Sequence, residues 1–114
     1  MSVNLTNRQV GDITVIDVAG RITLGEGSSA LRDALRDLIS KGQKKILLNL
    51  GDVSYIDSSG IGELVSGFTT VTNQGGQLKL LNLTKRVKDL LQITKLYTVF
   101  DVHDEESTAI RAYN

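Results

Sequence analysis

The chain has 114 residues, thirteen acidic and thirteen basic side chains, and neither cysteine nor proline. That length suits one domain with its own core, spanning 1–114, and the balanced charge leaves no footprint for DNA, RNA or an anionic membrane surface. Without cysteine there is no disulfide, no thiol nucleophile and no thiolate-held zinc, and no apolar stretch approaches the roughly 20 residues that cross a bilayer.

The amino terminus, Met1-Ser2-Val3-Asn4, has no basic segment leading into an apolar run, so no signal peptide and a cytoplasmic location are expected. Val3 to Val10 predicts a strand, Gly11-Asp12 a tight turn, and Ile13 to Ala19 the return strand, ended by Gly20. Arg21 to Leu24 reads as a short extended piece. Ser28 or Ser29 is then expected to cap a helix whose apolar positions are Leu31, Leu35, Leu38 and Ile39, stopped by Gly42. Ile46 to Leu50 is nearly continuous in apolar residues, as in a strand covered on both faces. A second run, Val53 to Ile56, leads into Asp57-Ser58-Ser59-Gly60 and a central helix to Asn73, with Ile61, Leu64, Val65, Phe68 and Val71 at helical spacing. After Gly75-Gly76, Gln77 to Leu83 predicts a strand, Thr84 caps a third helix, Val99 to Val102 predicts a last strand, and Asp104 caps a final helix through Tyr113. A hairpin followed by alternating helices and strands predicts an α/β domain with a mixed, mostly parallel sheet of four to five strands and about four helices.

In such sheets ligands and partners meet the loops at the carboxyl ends of the strands, where Asp57 to Gly60 would lie. Either serine could cap the unpaired amides of the helix start, a place that also suits a phosphate. Gly60 and Gly62 would keep that start bare for a close approach. Serine catalysis needs a base, and the single histidine, His103, is far away in the chain; the Gly-x-Ser-x-Gly elbow is absent. Gly25-x-Gly27-x-x-Ala30 matches a dinucleotide fingerprint, but the strand before it, Ile22 to Leu24, is very short and the downstream acid that the motif requires is missing, so it reads as a loop before a capped helix. Asp101, His103 and Asp104 to Glu106 read as a solvated helix start rather than a metal site. Lys85, Arg86 and Lys88 oppose the dipole of the third helix and read as a charged face, with an acidic or phosphate partner as the rival.

Gly20-Arg21-Ile22, Ile46 to Leu50, Asp52 to Gly62 and Gly75-Gly76 through Leu80 stand in the order seen in STAS domains, and the chain resembles that family from about Leu5 to Ile110. At this length it is similar to the free-standing bacterial anti-sigma factor antagonists. The resemblance implies a binding module without enzymatic activity, cofactor or metal. Its implied partners are an anti-sigma factor serine kinase with an ATP-binding kinase fold, which phosphorylates Ser58, and a serine phosphatase that reverses this. Implied partner-binding positions are Asp57, Ser59, Gly60, Ile61 and Gly62, together with Thr23, which stands where relatives commonly carry an aspartate. STAS-like domains also serve as subunits of stress-sensing assemblies and lipid-transport complexes, which is the alternative reading.

Overall fold

A computed structural model of the chain describes residues 3–113. Within them, β1 (Val3–Val10), β2 (Ile13–Ile22), β3 (Lys45–Ile56), β4 (Gln77–Leu81) and β5 (Asp101–His103) lie side by side in that order in one sheet. The β1–β2 hairpin is antiparallel and every later pair is parallel. Helices α1 (Glu26–Ser40), α2 (Ser58–Asn73), α3 (Lys85–Ile93) and α4 (Glu106–Arg111) alternate with the strands. This is the mixed, mostly parallel sheet with four helices that the alternation of patterns predicts.

Strand order follows chain order, so successive right-handed crossovers put their helices on one face. There Ile16, Val18, Ile46, Leu48, Leu50, Leu78 and Leu80 meet Leu31 and Leu35 of α1, Ile61, Leu64 and Val71 of α2, and Val87 and Leu91 of α3. A smaller cluster on the opposite face joins Ile13, Val15, Leu47 and Leu81 to Ala109, Ile110 and Tyr113 in and after α4. Ile46, Leu47 and Leu48 are consequently buried on alternate sides of one strand, as their unbroken apolar run requires. Arg8 fastens α4 to the hairpin, donating to Asp17 at 2.7 Å and to Glu106 at 2.9 and 2.5 Å.

The boundaries differ from expectation where tertiary geometry intervenes. From Leu48 onward the core-facing residues of β3 are Leu48, Leu50, Val53 and Ile56, a spacing that period-2 alternation cannot produce. The register against β2 slips twice, between Asp17 and Ala19 and between Gly20 and Arg21. Each slip gives β3 an extra residue, a bulge that returns the next apolar side chain to the core. The two apolar runs are thus one strand of 12 residues. β2 continues through Gly20 to Ile22 and absorbs the first two residues of the piece expected as separate, leaving Thr23 and Leu24 in the loop before α1. β4 stops at Leu81 rather than Leu83, because Asn82 takes a left-handed φ of 60°. The expected strand start at Val99 is the end of a 3₁₀ turn, Tyr97–Val99. Neither Ser28 nor Ser29 caps α1, which begins after Gly25. A φ of 96° at Gly25 turns the chain so that the Ser28 amide reaches the Thr23 carbonyl at 3.0 Å, and a backbone oxygen does the capping instead. Thr84 does cap α3, through the Val87 amide, whereas α4 starts after Glu105 rather than Asp104 and has no side-chain cap.

Leu48 is fully buried in the middle of the sheet. Leu48→Ala is expected to lower stability by about 2–5 kcal/mol through lost burial and a residual cavity, read as a lower denaturant midpoint; an unchanged midpoint would contradict the central place of β3.

Candidate functional site

The last residues of β2 and β3 pair with each other, Ile22 with Ile56, so the β2–α1 and β3–α2 connections emerge side by side. Asp57 follows in extended backbone (φ −112°, ψ −175°) as the N-cap of α2. One carboxylate oxygen accepts the Gly60 amide at 3.0 Å; the other accepts the Leu24 amide at 3.1 Å. A single side chain therefore closes the first turn of α2 and pins the neighbouring loop. Burial pushes the Asp57 pKa upward, but hydrogen bonds from the Gly60, Leu24 and Ser59 amides outweigh it and hold the carboxyl below its usual range. This corrects the expectation that Ser58 or Ser59 caps the helix. Aspartate is an equally favoured cap, and it stands at the residue where the backbone is still extended.

The two serines then take different roles. Ser59 is half-buried, with its Oγ 2.8 Å from that of Ser28. The Ser28 hydroxyl donates its only proton to the Thr23 carbonyl at 2.9 Å, so Ser59 must be the donor to Ser28. That chain of two bonds ties α2 to α1 and to the end of β2. Ser58 is exposed at the first position of α2, and its hydroxyl has no partner among the described residues.

The glycines divide in the same way. A Cβ on Gly60 would lie 2.4 Å from the Ile22 carbonyl oxygen and 2.6 Å from an Ile56 side-chain carbon. The missing side chain of Gly60 thus serves packing inside the fold, not an approach from outside, and this reading of the residue is corrected. Gly62 is exposed with nothing within 4 Å of where a Cβ would be, leaving a bare patch one turn beyond Ser58. Ile61 is buried in the core beneath. Thr23 is half-buried, and its carbonyl is fully used by Ser28.

Two features escape sequence reasoning. Leu24, joined to Asp57 through its amide, is 82% exposed. An apolar residue that no periodicity assigns to the core was the available signal. Near the ends of β2 and β3, the Tyr55 ring carries two guanidinium groups, Arg21 at 4.6 Å and Arg86 at 4.0 Å from its centre. Only the register Arg21–Tyr55 and the placing of α3 bring these three together. The remaining basic residues of α3 have local partners: Lys85 bonds Asp89 at 2.7 Å and Lys88 lies over the Tyr97 ring. His103 lies not against Ser58 but against Asp101, 3.0 Å from its carboxylate. Among the described residues no three acidic or histidine side chains group as metal ligands, and no helix is long and apolar enough to cross a membrane.

Comparison with known proteins gives one consistent picture. The profile of the STAS domain matches residues 4–109. The anti-sigma-B factor antagonist of Bacillus subtilis is 36% identical over 102 residues, which cover 90% of this chain and 92% of that protein. An anti-sigma factor antagonist from Mycobacterium paratuberculosis superposes with a TM-score of 0.87 at 17% identity, over 98% of this chain and 94% of that one. The Bacillus cell fate determinant SpoIIAA, solved in its phosphorylated form, superposes with a TM-score of 0.74 at 22% identity, over 95% and 97% of the two chains.

Asp57→Ala is expected to cost about 1 kcal/mol, the usual loss of an N-cap. Asp57→Asn keeps an oxygen for Gly60 but turns an N–H toward the Leu24 amide, so that amide should exchange its hydrogen faster while the melt moves less. Because the folded pKa is lowered, the carboxylate's contribution is present above the unfolded value of about 3.9 and fades as pH falls through the folded one. Unchanged exchange at Leu24 in the asparagine variant would show that the second oxygen pins nothing.

Proposed function

The chain belongs to the STAS domain family, and we propose that it is an anti-sigma factor antagonist whose binding is switched by phosphorylation of Ser58. The observation that carries this reading is the division of labour at the start of α2. Asp57 supplies the cap, Ser59 supplies the lock to α1, and Ser58 is left exposed with an uncommitted hydroxyl. A modifying enzyme can therefore reach it, and a group added there displaces no internal hydrogen bond. A relative that matches nearly the whole chain, the anti-sigma-B factor antagonist of Bacillus subtilis, carries the antagonist activity in its name.

The partner is an anti-sigma factor of the serine-kinase class with an ATP-binding kinase fold; binding it frees a sigma factor. The docking surface is formed by Ser58, Gly62, Leu24 and Thr23, while Asp57, Ser59, Gly60 and Ile61 hold its shape from behind. On this reading the chain acts by binding; among the described residues no base meets the Ser58 hydroxyl to activate it as a nucleophile. A phosphate brings about −1.5 to −2 charges at neutral pH, and a helix amino terminus tolerates negative charge. The modification thus leaves the fold standing and acts outward, by charge and bulk at the docking surface. A serine phosphatase restores the binding form.

Incubation with the cognate kinase and ATP should add one phosphate, mapped by peptide mass spectrometry to Ser58; a phosphate on Ser59 would count against the assignment. Ser58→Glu should melt within about 1 kcal/mol of the unmodified protein, yet titrate against the kinase with clearly weaker affinity, since a misplaced charge at an interface typically costs several kcal/mol. Binding equal to wild type in that variant would sink the switch.

A further inference from the structure

We propose that Arg21 and Arg86, stacked on the Tyr55 ring, form a clamp for a phosphoryl group beside Ser58. Both arginines are exposed, and neither has a carboxylate within ion-pair distance among the described residues. This sets them apart from Arg8, held by Asp17 and Glu106, and Arg32, held by Glu63. Nearby acids are engaged elsewhere: Asp89 by Lys85, and Asp57 by the amides of Gly60 and Leu24.

Stacking on the ring orients each guanidinium plane and leaves its N–H edge free. It also gathers two like charges around one ring, and no acidic side chain among the described residues pairs with either of them. Arg86 lies in the first turn of α3, which has no acidic residue, so it faces the positive end of that helix as well. An anion lodged at this spot relieves both repulsions. Its chemistry follows from the two forks. One carboxylate has two oxygens and saturates a single guanidinium, whereas a phosphoryl group has three terminal oxygens and a charge that matches two cations.

The place of the clamp gives it a ligand. Tyr55 precedes Ser58 by three residues, at most about 10 Å of extended chain. Arg21 pairs with Tyr55, and the next pair, Ile22 with Ile56, leads directly into Asp57. The phosphoryl group has two possible sources, a phosphate carried on Ser58 or free inorganic phosphate. The first rests on the functional reading above and the second does not.

The test uses the full chain made with phosphoserine introduced at position 58 during translation, which needs no kinase, so a failed kinase assay and a failed clamp remain separate results. In a ³¹P titration the phosphoserine's second pKa, ordinarily about 6, should be lowered by roughly one unit and should return to normal in Arg21→Gln/Arg86→Gln. In parallel, the unmodified chain is titrated with inorganic phosphate while the arginine Nε–H resonances are followed. Saturable shifts at Arg21 and Arg86, weakened roughly tenfold in either single glutamine variant, assign the free anion as a ligand. Tyr55→Phe keeps the ring and should keep whichever response is seen, while Tyr55→Leu should weaken it; thermal melts establish that each variant is folded. A normal phosphoserine pKa in wild type together with no saturable shift by phosphate overturns the clamp, as does any response that the double glutamine variant retains.

Discussion

How closely two helices can approach the end of β2 governs everything built at the carboxyl edge of this sheet. A Cβ on Gly60 would meet the Ile22 carbonyl oxygen at 2.4 Å, and one on Gly27 would meet the Arg21 carbonyl oxygen at the same distance. Two glycines, one in the first turn of each helix, thus let α1 and α2 settle onto consecutive carbonyls of a single strand. Glycine in a helix costs up to about 1 kcal/mol relative to alanine, and here that cost is offset by contacts no other residue permits. The short Ser59–Ser28–Thr23 hydrogen-bond chain exists because the helices are that close. So does the reach of one Asp57 carboxylate to both the Gly60 and the Leu24 amides.

With this docking in place, three consecutive residues are sorted by geometry. Asp57 is the last extended residue, so its side chain folds back over the helix start. Ser59 points between the helices and is consumed there. Ser58, between them, is turned to solvent. The site's rigidity and its exposed hydroxyl are therefore assigned to different side chains, and a change at Ser58 leaves the hydrogen bonds of Asp57 and Ser59 in place. The charge distribution agrees: Asp57 is already neutralised in effect by backbone dipoles, which hold its pKa down.

Sequence patterns exposed most of this architecture and missed its finest decisions, for physical reasons. The helical spacing of Leu31, Leu35 and Leu38 and of Ile61, Leu64 and Val71 reports burial directly, and those residues do line the core. Thr84 was readable as a cap because no other oxygen-bearing side chain adjoins it. The sequence points to Ser58 or Ser59 as the cap of α2, and the extended backbone at Asp57 gives that role to the residue before them. The bulges of β3 break the period on which strand reading rests, which made one strand look like two runs. The Arg21–Tyr55–Arg86 stack joins a strand pair to a helix 31 residues after Tyr55, and no local pattern encodes it.

The two faces of the sheet extend the same separation to the whole molecule. On the helical face a single apolar cluster runs from α1 to α3 and carries most of the burial. On the other, α4 covers only part of the sheet, and the remainder is bound by polar links, with Asp17 accepting from Asn49 at 2.9 Å and Asn49 from Asn82 at 3.2 Å. These links join the middles of β2 and β3 to the residue that follows β4 without extending the apolar core. The carboxyl edge itself is held by the close-packed helices and by the hydrogen bonds of Asp57. On the proposed reading, charge added at Ser58 meets a surface that has little freedom to rearrange, so its effect would pass to a docked partner and not to the interior.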